Sequence, residues 1–281
     1  MNRIRHIALV VSDMDKAAEY YKKTFGFVEA GREYQDTGSG IYLTDGEINM
    51  ALLNYKSDAM AGLKNSSRFI GAHHFGIQVE DVDQAQAVAE KHGGTFHFDL
   101  GHDKEGNFER KLKDPNGVIF DVSKGGWVGT PTRHVKGDEK PAPKPKTTNR
   151  IRHIAITSPD PEKTGKFYGD AFGLKKVGNT KSSFGDGVYL TDGYITLAIL
   201  KYHDDATSGR GKDFLGTHHF GVKVENLEAA GDTVKANGGK FFADLPIDKT
   251  SLYFERKFRD PDGIIFDLSQ NGWSTTPQAN V

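Results

Sequence analysis

Hydrophobic and polar residues alternate along several short segments of this chain, and amphipathic segments separate them. Residues 4–11 follow the period of two that is typical of a β-strand. After Ser12, apolar residues recur at helical spacing up to Phe25, and Gly26 is a helix stop signal. Three further strand-like segments follow, at 28–34, 40–43 and 48–54. The pattern therefore predicts the order β-α-β-β-β.

This order of elements is repeated along the chain. A second strand-helix-strands unit is predicted over residues 74–123, with Gly93 and Gly94 ending its helix. The segment 2–8 then returns letter for letter as 149–155. Later motifs return in the same order: 42–46 at 189–193, 73–76 at 218–221, and 108–111 at 254–257. We therefore predict an α+β protein made of four β-α-β-β-β units, two in each half.

The composition changes between the two halves. Residues 129–148 are rich in proline and lysine and lack apolar periodicity, which is typical of a stiff and exposed linker. We expect an N-terminal domain over 1–128, a linker over 129–148 and a C-terminal domain over 149–281. With 281 residues, of which 36% are hydrophobic, each half is long enough to bury a core of its own.

The overall composition argues against several classes of partner. The formal net charge is −1 and basic residues are mixed with acidic ones, so neither a nucleic acid nor a membrane is an expected partner. The chain has no cysteine, which excludes disulfides, Cys zinc sites and thiol nucleophiles. It also lacks an apolar N-terminal segment and a long apolar span, so we expect a cytoplasmic protein.

Strand alternation places certain histidines and acids on the sheet face away from the helices. In the first strand Ile7 and Leu9 share the helix side, which leaves His6 opposite. The same count places His74 and Asp121 on that face. In the second half the corresponding residues are His153, His219 and Asp267. Two imidazoles and one carboxylate suit non-haem Fe(II), and they also bind Mn(II), Ni(II) or Zn(II). The alternative is that these histidines are structural residues that only form hydrogen bonds.

These features together resemble the vicinal oxygen chelate superfamily, which includes glyoxalase I, extradiol ring-cleavage dioxygenases and bleomycin resistance proteins. The strand opening His-x-x-hydrophobic-x-Val-x-Asp is present at 6–13 and 74–81, and a closing Asp-Pro-x-Gly motif begins at Asp114 and Asp260. The resemblance implies that the units pair into two cup-shaped, open-barrel domains with one divalent metal per cup. The implied ligands are His6, His74 and Asp121 in one cup, and His153, His219 and Asp267 in the other.

The chain departs from the family pattern near the carboxylate. The usual ligand is Glu, whereas both copies here have the shorter Asp. Ring-cleaving dioxygenases carry a Tyr ten residues before the carboxylate, where this chain has Lys111 and Lys257. They also carry a His further upstream; near that position this chain has only His102, in the first half. Glu109 with Lys111, and Glu255 with Lys257, are candidate catalytic groups for proton transfer or for holding a substrate anion. A solvated charge stripe on an edge strand is the alternative.

Three pairs of repeated residues are predicted to have structural or supporting roles: His73 and His218, Trp127 and Trp273, and Asp45 and Asp192. His73 and His218 are expected either to lie on the core side of their strands or to support the ligand residues. The tryptophans are expected to close the end of each core, and the aspartates to begin hairpin turns.

Three functions are compatible with this sequence. The first prediction is an Fe(II)-dependent dioxygenase of extradiol type, acting on a small molecule chelated through vicinal oxygens. A metal-dependent lyase or isomerase of glyoxalase type is the second, favoured by the missing Tyr and His. The third is a metal-free binding protein of the bleomycin resistance type. The rim segments 56–69 and 101–107 carry no signature of a substrate, and pairing of two chains into a homodimer stays open.

Overall fold

The computed structural model describes residues 2–34, 38–56, 69–101, 108–134, 142–245 and 254–275. Within these ranges the N-terminal half contains the following elements: β1 (Arg3–Val10), α1 (Met14–Phe25), β2 (Val28–Tyr34), β3 (Gly38–Thr44), β4 (Asn49–Tyr55), β5 (Gly71–Gln78), α2 (Val82–Lys91), β6 (Thr95–Leu100), β7 (Glu109–Lys113) and β8 (Ile119–Ser123). The predicted order β-α-β-β-β therefore occurs twice.

The C-terminal half repeats this order. Its elements are β9 (Arg150–Thr157), α3 (Pro161–Phe172), β10 (Lys175–Lys181), β11 (Gly185–Thr191), β12 (Thr196–Tyr202), α4 (Asp205–Ser208), β13 (Thr217–Lys223), α5 (Leu227–Ala236), β14 (Lys240–Leu245), β15 (Glu255–Arg259) and β16 (Ile265–Ser269). The single-turn helix α4 was not predicted; the side chain of Asp204 caps it by accepting from Thr207 N. No helix in the described ranges is long and apolar enough to cross a membrane.

Each half forms one eight-stranded sheet. The strand order is β2-β3-β4-β1-β5-β8-β7-β6 in the first sheet and β10-β11-β12-β9-β13-β16-β15-β14 in the second. The two units of a half meet where β1 pairs antiparallel with β5, and where β9 pairs with β13. Because each order begins and ends on different strands, both sheets are open cups, and the predicted fold is confirmed.

The strand-opening motif also starts the helix that follows it. The side chain of Asp13 accepts from the backbone N–H of Lys16 and so caps α1, and Asp81 caps α2 in the same way. Gly26 ends α1 in the left-handed conformation, at φ 73°, which favours glycine. The motif therefore sets both the strand of the predicted ligand and the start of the helix that follows it.

Apolar side chains of both halves form one continuous core, in contrast to the expected core in each half. The reason is that helices pack across the boundary. Phe25 of α1 contacts Phe266 of the second sheet, with ring centroids 5.6 Å apart, and Phe172 of α3 contacts Phe120 of the first sheet at 5.4 Å. His6 and His153 lie outside this core, on the concave faces.

Two aspartates join the halves reciprocally. Oδ2 of Asp45 accepts the backbone N–H of Ile151 at 2.6 Å, and Oδ2 of Asp192 accepts that of Ile4 at 2.7 Å. In each case Oδ1 accepts backbone N–H groups of its own turn. Each Asp-Gly turn thus also holds the first strand of the other half, a role that the sequence pattern did not indicate.

The predicted linker is described only in part. Residues 135–141 lie outside the described residues, as do residues 57–68 and 102–107, which form most of the predicted rim segments 56–69 and 101–107 and include His102. Directly after the predicted linker, Nδ2 of Asn149 donates to the carbonyl of Phe25 at 3.1 Å. The domain boundaries at 128 and 149 remain predictions.

A tyrosine pair across the boundary allows a stability prediction. Tyr21 donates to Oδ2 of the buried Asp260 at 2.8 Å, whereas Tyr168 is 3.4 Å from Oδ2 of Asp114. We expect Tyr21→Phe to lower the free energy of unfolding by about 1–3 kcal/mol, because a buried carboxylate loses a donor. Tyr168→Phe is the matched control and should cost less, since its contact is longer. Urea denaturation of both variants tests this, and equal losses would contradict it.

Candidate metal centre

One row of residues crosses the N-terminal sheet and contains most of the predicted site. Across β4, β1, β5, β8 and β7, neighbouring strand positions are Asn49, His6, Gly76, Asp121 and Lys111. His74 precedes Gly76 by two residues and so shares its face. The row of the C-terminal sheet is Thr196, His153, Gly221, Asp267 and Lys257. Strand register therefore brings residues together that are far apart in sequence.

The predicted ligand residues converge in both halves. Nε2 of His6 lies 3.3 Å from Nε2 of His74, which lies 3.1 Å from Oδ2 of Asp121. The corresponding distances in the C-terminal half are 3.3 and 3.0 Å. All six side chains are buried, and in each triad the ligand atoms lie within 4.8 Å of one another.

The donor set and its spacing fit a divalent metal. With metal–ligand bonds of about 2.1 Å, two ligands at a right angle lie about 3 Å apart, close to the separations in both triads. In addition, Oδ1 of Asp267 is buried without a hydrogen-bond partner in the part of the chain that the structure describes. Such a carboxylate oxygen requires a cation or a donor. Three protein ligands leave coordination positions for a substrate.

A second layer of contacts orients these histidines. Nδ1 of His6 lies 2.7 Å from Oδ1 of Asn49. Nδ1 of His74 lies 2.7 Å from Nδ1 of His73, and the equivalent pair His218 and His219 is 2.8 Å apart. Burial lowers the pKa of His6 to about 4 and that of the His74 and His219 imidazoles well below their usual value, so these side chains are neutral at pH 7. Neutral imidazoles are the form that binds metal.

A β-bulge explains the contact between His73 and His74. The pairing of β5 with β1 shifts register between Ala8 and Leu9, opposite this pair, so strict alternation does not hold here. A structural or supporting role was expected for His73, and strand alternation predicted that its side chain lies on the core side of the sheet. The structure instead brings it within hydrogen-bond distance of a predicted ligand.

The tryptophans lie on the predicted ligands. Trp127 stacks on His6 with ring centroids 5.0 Å apart and planes at 10°, and Trp273 stacks on His153 at 4.8 Å and 12°. The expectation that they close the ends of the core is therefore wrong. A Cβ at Gly76 would lie 2.4 Å from Cζ2 of Trp127, so only glycine permits this stacking. Gly221 is equivalent in the other half.

The two predicted lysines reach into the triads. Nζ of Lys111 lies 2.8 and 2.7 Å from the two carboxylate oxygens of Asp121 and 3.2 Å from Nε2 of His74. Nζ of Lys257 lies 2.6 Å from Oδ2 of Asp267. Both lysines are buried, with 1% and 3% of their surface exposed, which excludes a solvated charge stripe for them.

The predicted glutamates lie beside the lysines. Oε1 of Glu255 is 3.2 Å from Nζ of Lys257, and its Oε2 accepts from Nε1 of Trp273 at 2.8 Å. Burial, reinforced by the charge of Asp121, raises the pKa of Glu109 to about 7, and burial raises that of Glu255 as well. A carboxyl group whose pKa is near neutral, as that of Glu109 is, suits proton transfer.

A cavity of about 530 Å³ opens above the C-terminal triad, a volume typical of sites for small molecules. Its floor includes His153, His219 and Lys257, with Glu255 beside them. Its walls are largely apolar and aromatic, formed by Val177, Phe184, Tyr189, Leu200, Tyr202 and Trp273. Two of the three predicted ligands of this half and both of its candidate catalytic residues therefore line one cavity.

The sequence pattern of the Glyoxalase/Bleomycin resistance protein/Dioxygenase superfamily matches residues 3–122 and 150–268. The chain belongs to this superfamily, as the sequence motifs predicted. It is 28% identical over 147 residues to a probable chloroplastic lactoylglutathione lyase of Arabidopsis thaliana, covering 47% of this chain and 39% of that protein. It is 29% identical over 89 residues to human mitochondrial methylmalonyl-CoA epimerase, covering 30% and 51%. The matches thus span about half or less of the length of these two relatives.

Solved structures share the fold over nearly the whole chain. A mutant of 4-hydroxymandelate synthase from Streptomyces coelicolor has a TM-score of 0.71 at 13% identity, covering 98% of this chain and 95% of that one. The 2,3-dioxygenase LapB from Pseudomonas sp. KL28 has a TM-score of 0.68 at 18% identity, covering 96% and 92%. At such low identity these similarities establish the fold alone.

Proposed function

We propose that this protein is a divalent-metal-dependent enzyme whose small substrate binds through two neighbouring oxygen atoms. The observation that carries the proposal is the convergence of two imidazoles and one carboxylate, in both halves, at spacings that suit one metal ion. We infer that His6, His74 and Asp121 hold one ion, and His153, His219 and Asp267 the other. When bound, the metal would supply a Lewis acid and, as Fe(II), a place for O2 next to the chelated substrate.

The other residues of the C-terminal cavity would handle charge and protons. Lys257 carries an ammonium group on the cavity floor, 3.2 Å from Glu255, and can hold an anionic oxygen of the substrate. Glu255 would accept or deliver a proton, because it lies at the cavity beside Lys257 and burial raises its pKa above the usual carboxyl value. Lys111 and Glu109 would act likewise in the N-terminal half.

For the reaction we propose an Fe(II)-dependent dioxygenase of extradiol type. A triad of two histidines and one carboxylate with open positions is the ligand set of non-haem Fe(II) oxygenases. The arrangement of four units along one chain is shared with dioxygenase structures. Aromatic walls such as Tyr189, Tyr202 and Trp273 would pack against a planar ring with adjacent hydroxyl groups.

A metal-dependent lyase or isomerase is the second candidate, and a specific contact favours it. Lys257 and Glu255 form an acid–base pair at the cavity, at a position where ring-cleaving dioxygenases carry a Tyr. Such a pair could move a proton next to a carbonyl group that the metal polarises. The curated relatives are a lyase and an epimerase by name.

The test is metal content and O2 uptake measured together. The protein is purified anaerobically, loaded with Fe(II), Mn(II), Ni(II) or Zn(II), and offered catechols or α-hydroxycarbonyl compounds. About two metal ions per chain, with O2 consumed only in the Fe(II) form, is the expected result. Metal binding with deuterium exchange at the carbon next to a carbonyl, but without O2 uptake, would favour the lyase or isomerase. If no metal binds, a metal-free binding protein is the better description.

A further inference from the structure

The two triads differ at one position of the row that contains them. In the N-terminal half, Asn49 lies beside His6, and its side-chain amide makes two contacts. Nδ2 donates to the carbonyl of Val128 at 2.7 Å, which turns Oδ1 toward Nδ1 of His6, also at 2.7 Å. One amide therefore connects the segment after Trp127 to the imidazole that this tryptophan covers.

In the C-terminal half Thr196 takes the place of Asn49. Its hydroxyl donates to the carbonyl of Ser274 at 2.8 Å, which repeats only the contact with the segment after the tryptophan. Nδ1 of His153 is buried and has no hydrogen-bond partner among the described residues. The support that orients His6 therefore has no counterpart at His153.

This difference affects which ring nitrogen carries the proton. Oδ1 of Asn49 only accepts hydrogen bonds, so Nδ1 of His6 carries the proton and Nε2 keeps its lone pair for a metal. A proton on the buried Nδ1 of His153 would lack an acceptor, which favours the form with the proton on Nε2. Nε2 is the atom that faces His219, 3.3 Å away, and a proton there blocks metal binding.

We propose that the two metal sites are inequivalent, and that Asn49 is a positioning residue that makes the N-terminal triad the tighter site. The proposal rests on the proposed function only in assuming that the triads bind metal. Contacts of this kind change metal affinity by about 10- to 100-fold, so we expect a ratio of that order between the two sites. At limiting metal the N-terminal triad would fill first.

The test measures each site alone in the full chain. His219→Ala leaves the N-terminal triad, and His74→Ala leaves the C-terminal one. In the His219→Ala background, Asn49→Thr should weaken Zn(II) binding by about 10- to 100-fold. In the His74→Ala background, Thr196→Asn should tighten Zn(II) binding by about tenfold. Binding is measured against a competing chelator. Nitrogen NMR of the imidazoles supplies a second readout, because Thr196→Asn should move the proton of His153 from Nε2 to Nδ1.

The outcomes separate this proposal from the proposed function. A gain of affinity in Thr196→Asn together with the shift of the His153 proton supports it, because a merely structural side chain would not produce both. Equal affinities of the two isolated sites, unchanged by either substitution, would overturn the inequivalence and leave the metal-dependent function standing. If neither isolated site nor the unmodified chain binds Zn(II), both the proposal and the proposed function fail.

Discussion

Asp267→Asn is expected to lower the free energy of unfolding by about 3 kcal/mol, because it leaves a buried ammonium without its nearest counter-charge. Asp267 is fully buried, and its Oδ2 lies 2.6 Å from Nζ of Lys257. Amide and carboxylate have nearly the same shape, so the loss reports charge and not volume. The measurement is urea denaturation in a chelator. The variant should also lose metal at the C-terminal triad, since a carboxylate ligand is removed.

The double variant Asp267→Asn, Lys257→Met is the control. Removing both charges of a buried pair is often neutral, so it should recover most of the stability that the single variant loses. It should not recover metal binding. A single variant as stable as wild type would show that Glu255, 3.2 Å from the same ammonium, balances its charge alone.

Lys257→Met is expected to bind divalent metal at least about tenfold more tightly than wild type. Nζ of Lys257 contacts Oδ2 of Asp267 and lies 3.3 Å from Nε2 of His219. An unprotonated imidazole nitrogen has a single lone pair, so a hydrogen bond from the lysine and a bond to a metal exclude each other. A metal must also approach a buried positive charge. Methionine has a similar volume to lysine, but it neither donates a hydrogen bond to the imidazole nor carries a positive charge.

Isothermal titration with Zn(II) in the His74→Ala background measures this change at the C-terminal site alone. Lys201→Met is a matched control, because Lys201 is an exposed lysine that lines the same cavity. It should leave the affinity unchanged. Weaker binding by Lys257→Met would instead mean that the lysine organises the triad for the metal. The Lys111→Met variant in the His219→Ala background repeats the experiment in the other half.

Some features of the site were predictable because they depend on local sequence. Period-two alternation placed all six predicted ligands on the concave faces, and capping residues such as Asp13 and Gly26 marked the helix ends. Repetition strengthened each assignment, because an independent copy showed the same residue. A search for repeated residues also missed one position of the site, because Asn49 in the first copy is replaced by Thr196 in the second. Gly76, which pairs with His6 across the sheet, recurs as Gly221 in the second half. This repetition was the signal in the sequence that could have identified its role beside the tryptophan.

By itself, the sequence determined the four units, their elements and the set of residues that face each cup, because hydrophobic periodicity and capping act within a few residues. Only the tertiary structure decided how distant strands are registered, and that register brings Lys111 against Asp121. It also decided the path of the segment after β8, which places Trp127 on His6. It also decided the bulge at His73 and the packing of helix side chains across the boundary, which merges two expected cores into one. These features depend on contacts between segments far apart in the chain, which no local pattern encodes.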